Sequence, residues 1–168
     1  MVQSRKHDVV DYACRISLIW ILLLLGGCAS GRYRAEQDPL TSTERLELGV
    51  LYEKRGDYEL ALKNYTWAAR EPVAAEALTY RGNVLIALDR KSEAEKSYRQ
   101  ALEINPDLPE ALNNLAWYLI MENKDLDEAE RLIDRALNQN PSPRAPYLDT
   151  KDQLERAKRD HQLYSPDE

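Results

Sequence analysis

No phenylalanine occurs in the 168 residues, and there are only two cysteines, two histidines and six glycines. Each scarcity excludes something. Two thiols, Cys14 and Cys28, cannot supply a disulfide framework or a four-cysteine zinc site. The glycines are too scattered to form a phosphate-cradling loop. His161 has no nucleophile-and-acid motif around it, so it reads as a packing residue rather than a catalytic one. Asp125-x-Asp127-Glu128 lacks the glycine and the spacing of a calcium loop. Neither a catalytic residue nor a metal or cofactor is therefore expected. No basic cluster follows residue 35, and the net charge of −6 argues against a nucleic-acid partner. What remains is a chain with 31% charged residues of mixed sign, the profile of one soluble, strongly helical domain. Ten tyrosines take the roles that phenylalanine would otherwise share.

The first thirty residues have a pattern of their own. Arg5, Lys6 and Arg15 precede the apolar stretch from Ile16 to Leu25. That stretch is about half the length needed to cross a bilayer, and it fits the apolar region of a signal peptide. Leu25-Gly26-Gly27-Cys28 resembles the lipobox of bacterial lipoproteins. The resemblance implies cleavage after residue 27, with diacylglyceryl and N-acyl lipid on Cys28. Ala29 and Ser30 stand where an inner-membrane retention signal would carry aspartate, which implies the periplasmic face of the outer membrane. Loss of residues 1–27 removes three basic and two acidic side chains, leaving the body one unit more acidic and without a free thiol. Residues 28–42 then read as the lipidated N-terminus and a tether, with a reach on the order of 20 Å.

The rest of the chain repeats. Ala61, Tyr65 and Ala68 recur as Ala94, Tyr98 and Ala101, and again as Ala129, Ile133 and Ala136, with spacings of 33 and 35 residues. Each triplet falls at i, i+4 and i+7, one face of a helix. Ahead of each triplet a first helix carries a small residue, Gly49, Gly82 or Ala116, where a second helix could cross closely. Gly56-Asp57 and Asp89-Arg90 mark turns within hairpins; Asn105-Pro106 and Asn140-Pro141 mark turns between them. The third repeat has one extra residue around 123–127. Beyond Pro141, Tyr147, Leu154, Ala157, His161 and Tyr164 share a stripe and predict a capping helix. Its start is open between Ser142-Pro143 and Thr150-x-x-Gln153.

A period near 34 residues with two helices per period is similar to the tetratricopeptide repeat family. The resemblance covers residues 43–141 and implies an all-α, α-α superhelix of about three repeats, with the cap extending the domain to 164 and a tail at 165–168. Arg45 and Arg81 depart from it, since the family often has an apolar residue at those sites. The resemblance also implies a concave protein-binding groove, lined here by Leu46, Val50, Glu53, Thr79, Asn83, Ile86, Asn113, Asn114, Trp117, Ile120 and Met121. Asn83 and Asn114 match asparagines that grip a peptide backbone in the family. Leu46 and Thr79 stand where a carboxylate clamp would have lysine, so binding of chaperone tails is not expected. Helical geometry separates Trp117 from Tyr118, so at least one of the two must be core, and Trp67 is expected to pack between repeats.

The expected function is that of a lipid-anchored protein–protein adaptor with no small-molecule substrate. It resembles the small tetratricopeptide lipoproteins that assist assembly of pilus and secretin complexes. The alternatives are a scaffold for cell-wall or barrel-assembly enzymes and an accessory subunit of a hydrolase.

Overall fold

The computed structural model describes residues 40–70 and 72–164. The signal segment, the lipobox with Cys28, the tether up to residue 39 and the tail at 165–168 lie outside the described residues. The described residues contain seven helices and no strand: α1 (Ser42–Lys54), α2 (Tyr58–Ala68), α3 (Ala74–Ala87), α4 (Lys91–Ile104), α5 (Pro109–Met121), α6 (Leu126–Asn138) and α7 (Ala145–Tyr164). They pair as three hairpins, α1–α2, α3–α4 and α5–α6, stacked in chain order, with α7 lying against α5 and α6. This is the expected α-α superhelix.

Helix α1 starts at Ser42, inside the expected tether, because Thr41-x-x-Glu44 forms a capping box. The Thr41 hydroxyl accepts from the Glu44 amide at 3.2 Å, and the Thr41 amide donates to the Glu44 carboxylate at 2.7 Å. Within each hairpin the first helix stops in the same way. Gly56, Asp89 and Asn123 adopt positive φ values of 80°, 57° and 46°. The amides that follow them, on Asp57, Arg90 and Lys124, donate back five residues to Tyr52, Leu85 and Leu119. These are Schellman-type caps, and aspartate and asparagine tolerate the left-handed position that glycine fills in the first hairpin. The extra residue of the third repeat falls in this turn: four residues separate α5 from α6, where three separate α3 from α4.

Close crossing holds the hairpins. A Cβ placed on Gly49 or Gly82 would overlap the ring of Tyr65 or Tyr98, respectively, so each glycine is the space that its tyrosine fills. Both rings are buried, as are Ala116 and Ile133 at the matching places of the third hairpin. All nine members of the repeated triplets are buried. A fully buried side chain the size of Tyr65, Tyr98 or Ile133 contributes about 1.5–3 kcal/mol, while the alanines allow the close approach of the helices.

The cap differs in detail from expectation. Helix α7 begins at Ala145, ahead of Thr150; the Thr150 hydroxyl, buried within the helix, donates to the Pro146 carbonyl at 3.1 Å. Tyr147 and Leu154 are buried and Ala157 is partly covered, but His161 is exposed, so its expected packing role does not hold. Lys151–Asp134 and Lys158–Glu130 ion pairs, both 2.7 Å, tie α7 to α6.

Trp67 also departs from expectation. It is 40% exposed on the outer edge of the first hairpin, with Arg70 5.0 Å and Arg45 5.9 Å from its ring centre. Among the described residues nothing precedes α1 to stack against that edge. Arg45 also donates to Asn64 at 3.0 Å, across from α1 to α2.

Candidate functional site

Val50, Asn83 and Trp117 occupy matching places on α1, α3 and α5, and each is partly buried. A half-covered row on successive first helices is what a groove floor requires, because its side chains are held by the fold and still face an incoming chain. Leu46 and Val50 pack beside the core of the first hairpin, and Ile86 and Trp117 lie against the core of the second and third.

The polar part of the row is an amide chain. The Asn83 Oδ1 accepts from Asn114 Nδ2 at 2.8 Å and from the Tyr98 hydroxyl at 2.9 Å. Asn113 Nδ2 donates to Asn114 Oδ1 at 3.3 Å. Asn113 Oδ1 is buried and has no hydrogen-bond partner. A buried amide oxygen without a donor is uncommon and costly. Neighbouring asparagines supply donors and acceptors together, the pairing that a peptide main chain presents. Tyr98 is fixed as a donor because burial, with Glu53's charge adding, pushes its hydroxyl pKa well above the ordinary value. Glu53 accepts from the Tyr65 hydroxyl at 2.5 Å, and burial plus that bond also push the Tyr65 pKa upward. Glu53 is thus committed to the fold of the first hairpin as well as being the one charged member of the candidate row.

Two of the eleven candidates are buried, unlike residues that line a groove. Thr79 is buried and its hydroxyl donates to the Ala75 carbonyl at 2.8 Å, so it packs rather than lines. Ile120 is also buried. Met121, at the end of α5, is 58% exposed. Of the adjacent aromatics, Tyr118 is the core residue: it is buried, and its hydroxyl accepts from Lys124 at 2.6 Å. The tyrosine hydroxyls that brace Glu53 and Asn83 were not among the residues expected at the groove. The signal was present, since Tyr65 and Tyr98 sit where the third repeat has isoleucine, which carries no hydroxyl.

His161 lines a shallow cavity of about 430 Å³ with Asn123, Asp125, Asp127 and Lys158. Among the described residues no three histidine, cysteine or acidic side chains gather as a metal-ligand set. No described helix is long and apolar enough to cross a membrane.

Comparison with known proteins fits this geometry. A tetratricopeptide repeat model matches residues 46–109, and a second model of the same description matches 85–154. The chain is 35% identical over 98 residues to the photosystem I assembly protein Ycf3 of Cyanophora paradoxa, covering 52% of this chain and 57% of that one. It thus spans only a little over half of that relative's length. Among solved structures it is similar to the first tetratricopeptide domain of Spaghetti (RPAP3) bound to an HSP90 peptide, with a TM-score of 0.61, 21% identity, and 71% and 91% of the two chains covered. It is also similar to pilF of Pseudomonas aeruginosa, with a TM-score of 0.58, 15% identity, and 78% and 64% covered. At these identities the two structures speak for the fold alone.

Proposed function

We propose that this chain, a tetratricopeptide repeat protein over residues 46–154, is a membrane-anchored adaptor that holds an extended segment of a partner protein across Val50, Asn83, Asn114 and Trp117. The observation that carries the reading is the amide chain running from Asn113, whose buried oxygen has no donor, through Asn114 to Asn83. The half-buried Asn113 and Asn114 amides together offer the donors and acceptors that a peptide main chain pairs with. The half-buried Trp117 beside that chain offers an apolar surface for an adjacent side chain, and tryptophan is enriched among residues that dominate binding energy.

The anchor rests on Leu25-Gly26-Gly27-Cys28, with lipid on Cys28 holding the domain at the periplasmic face of the outer membrane. The adaptor serves assembly of an envelope machine such as a pilus or secretin complex. The word assembly in the name of the Ycf3 relative supports that role in general terms; the particular machine is inferred from the combination of lipobox, short tether and few repeats.

A photo-crosslinker placed at Asn83 or Trp117 in living cells tests the groove. Capture of a partner there is the expected outcome, whereas capture only from positions on the second helices would overturn it. Cys28→Ser should move the protein from the membrane to the soluble fraction; a variant that stays membrane-bound would sink the anchor.

A further inference from the structure

Arg81 stands on α3 where the first and third hairpins have Leu48 and Leu115. A guanidinium in place of an apolar side chain between stacked hairpins is costly unless its charge is matched. Its partners here are neutral: Nε donates to Ser97 Oγ at 3.1 Å and Nη2 to Gln100 Oε1 at 2.9 Å. Ser97 Oγ donates in turn to the Glu93 carbonyl at 2.8 Å, which leaves its lone pair for Arg81. These bonds use one edge of the guanidinium fork. The other edge, Nη1 with the second hydrogen of Nη2, has no partner among the described residues.

Arg81 lines a pocket of about 360 Å³ between α2 and α4, walled by Leu62, Thr66 and Leu85 and rimmed by Arg90, Glu93 and Lys96. Residues 81 and 83 point about 200° apart around α3, so this pocket opens away from the asparagine row. The one carboxylate at the rim is already committed, since Glu93 takes both ends of Arg90 at 2.7 and 2.8 Å. Arg90, Arg81 and Lys96 all draw the Glu93 carboxyl below the usual range, the hydrogen bond from Arg90 most strongly. Burial lowers the Arg81 pKa, and the charge of Glu93 offsets this only in part. Three cations around one acid is a local positive excess on a chain of net charge −6.

We propose that this pocket is an oxyanion site that takes the carboxylate of an acidic side chain on a partner protein. The free edge of Arg81 is a planar two-donor fork, the geometry that a carboxylate matches bidentately. The leucine walls favour the methylene stem of a glutamate or aspartate over a fully hydrated phosphate. The site is independent of the asparagine groove, so one molecule can hold a peptide on one side and an acidic element on the other.

The test is calorimetric titration of the full chain in detergent with a hexaglutamate peptide. Hexaglutamine, inorganic phosphate and glycerol phosphate serve as the other arms. Arg81→Leu restores the residue type of the other two hairpins and is expected to fold with an unchanged or higher melting temperature. Hexaglutamate should bind the parent chain and lose about tenfold in affinity in Arg81→Leu, the worth of a charge-assisted bond. Arg81→Lys should lose part of it, and Asn83→Ala none. The proposal is overturned if hexaglutamate does not bind, or binds Arg81→Leu as well as the parent. It is overturned equally if phosphate or glycerol phosphate binds as tightly in an Arg81-dependent way. Failure of the groove would show in crosslinking at Asn83 and leave these titrations untouched.

Discussion

The first hairpin and the two that follow are built to one plan, yet the same position is exposed in one and buried in the others. Leu51 is 44% exposed, whereas its counterparts Val84 and Tyr118 are 0% and 2% exposed. Val84 packs against Ala61 and Tyr65 of the hairpin before it, and Tyr118 belongs to the core that joins the second hairpin to the third. Burial at that position is therefore a property of the stack, because each hairpin covers the next. The ion pairs gather on the later side as well: Arg99 bridges Glu95 at 3.1 Å and Glu128 at 2.7 Å, and Lys124 reaches Glu95 at 2.9 Å. In a solenoid, stability is the sum of hairpin and neighbour terms, so the second–third junction should be the firmer part.

The largest expected effect tests that junction. Tyr98→Ala removes a ring that fills the space over Gly82 and braces Asn83, and should cost about 3–5 kcal/mol in urea unfolding. A loss below about 1 kcal/mol would mean that Tyr98 is not the centre of the second hairpin. Gly82→Ala comes next. The added methyl meets the Tyr98 ring, which is enclosed and cannot swing away, so overpacking of about 1–3 kcal/mol should outweigh the helix-propensity gain of alanine. Crystals or spectra of Gly82→Ala with an undisturbed Tyr98, and no loss of stability, would break the account of close crossing.

The architecture was legible because it rests on residue types with strong local meaning. The alanine–tyrosine–alanine triplets, the facing small residues and the proline-marked turns each specify one contact, and these contacts repeat. The edges were less legible. The fate of Trp67 depended on whether a hairpin stands before it, which helix periodicity does not encode. Thr150 looked like a cap because threonine with glutamine three residues on is a start signal, but the buried stripe from Tyr147 extended the helix upstream of it. Of the candidate groove, Asn83, Asn114 and Trp117 form a half-covered row with Val50. Thr79 was misread because a threonine can satisfy its hydroxyl on its own helix and then pack as an apolar residue. Arg81 stood out in the sequence as a departure, but its meaning needed the neutral partners and the free edge that only the structure supplies.

Acid sharpens the same contrast with a smaller effect. Burial works to raise the Glu95 pKa, but hydrogen bonds from Lys124, Arg99 and Tyr118 outweigh it and hold the carboxyl below its ordinary value. A depressed folded-state pKa gives stability that is present above the unfolded value, near pH 4.3, and is lost as pH falls through the folded one. Its partners Arg99 and Lys124 are 42% and 43% exposed and screened by solvent, so the loss should be about 0.5–1 kcal/mol. Urea unfolding at pH 7 and pH 3 should show this drop in the parent chain and a smaller one in Glu95→Gln; equal drops would remove Glu95 from the junction.

The last comparison, which ends in the smallest expected change, bears most directly on the open edge. Val84→Ala removes methyls from a position that the preceding hairpin covers, and should cost about 2 kcal/mol. Leu51→Ala removes more carbon from the matching position, yet with nearly half the side chain in solvent it should cost about 0.5 kcal/mol or less. The inversion is the informative part, since the larger truncation is expected to be the milder one. It would fail if Leu51→Ala matched or exceeded Val84→Ala, because a cost of that size requires the side chain to be covered in the folded chain. The first hairpin would then be stacked like the others, and Trp67, on the same edge, would regain the packing role that the sequence first suggested.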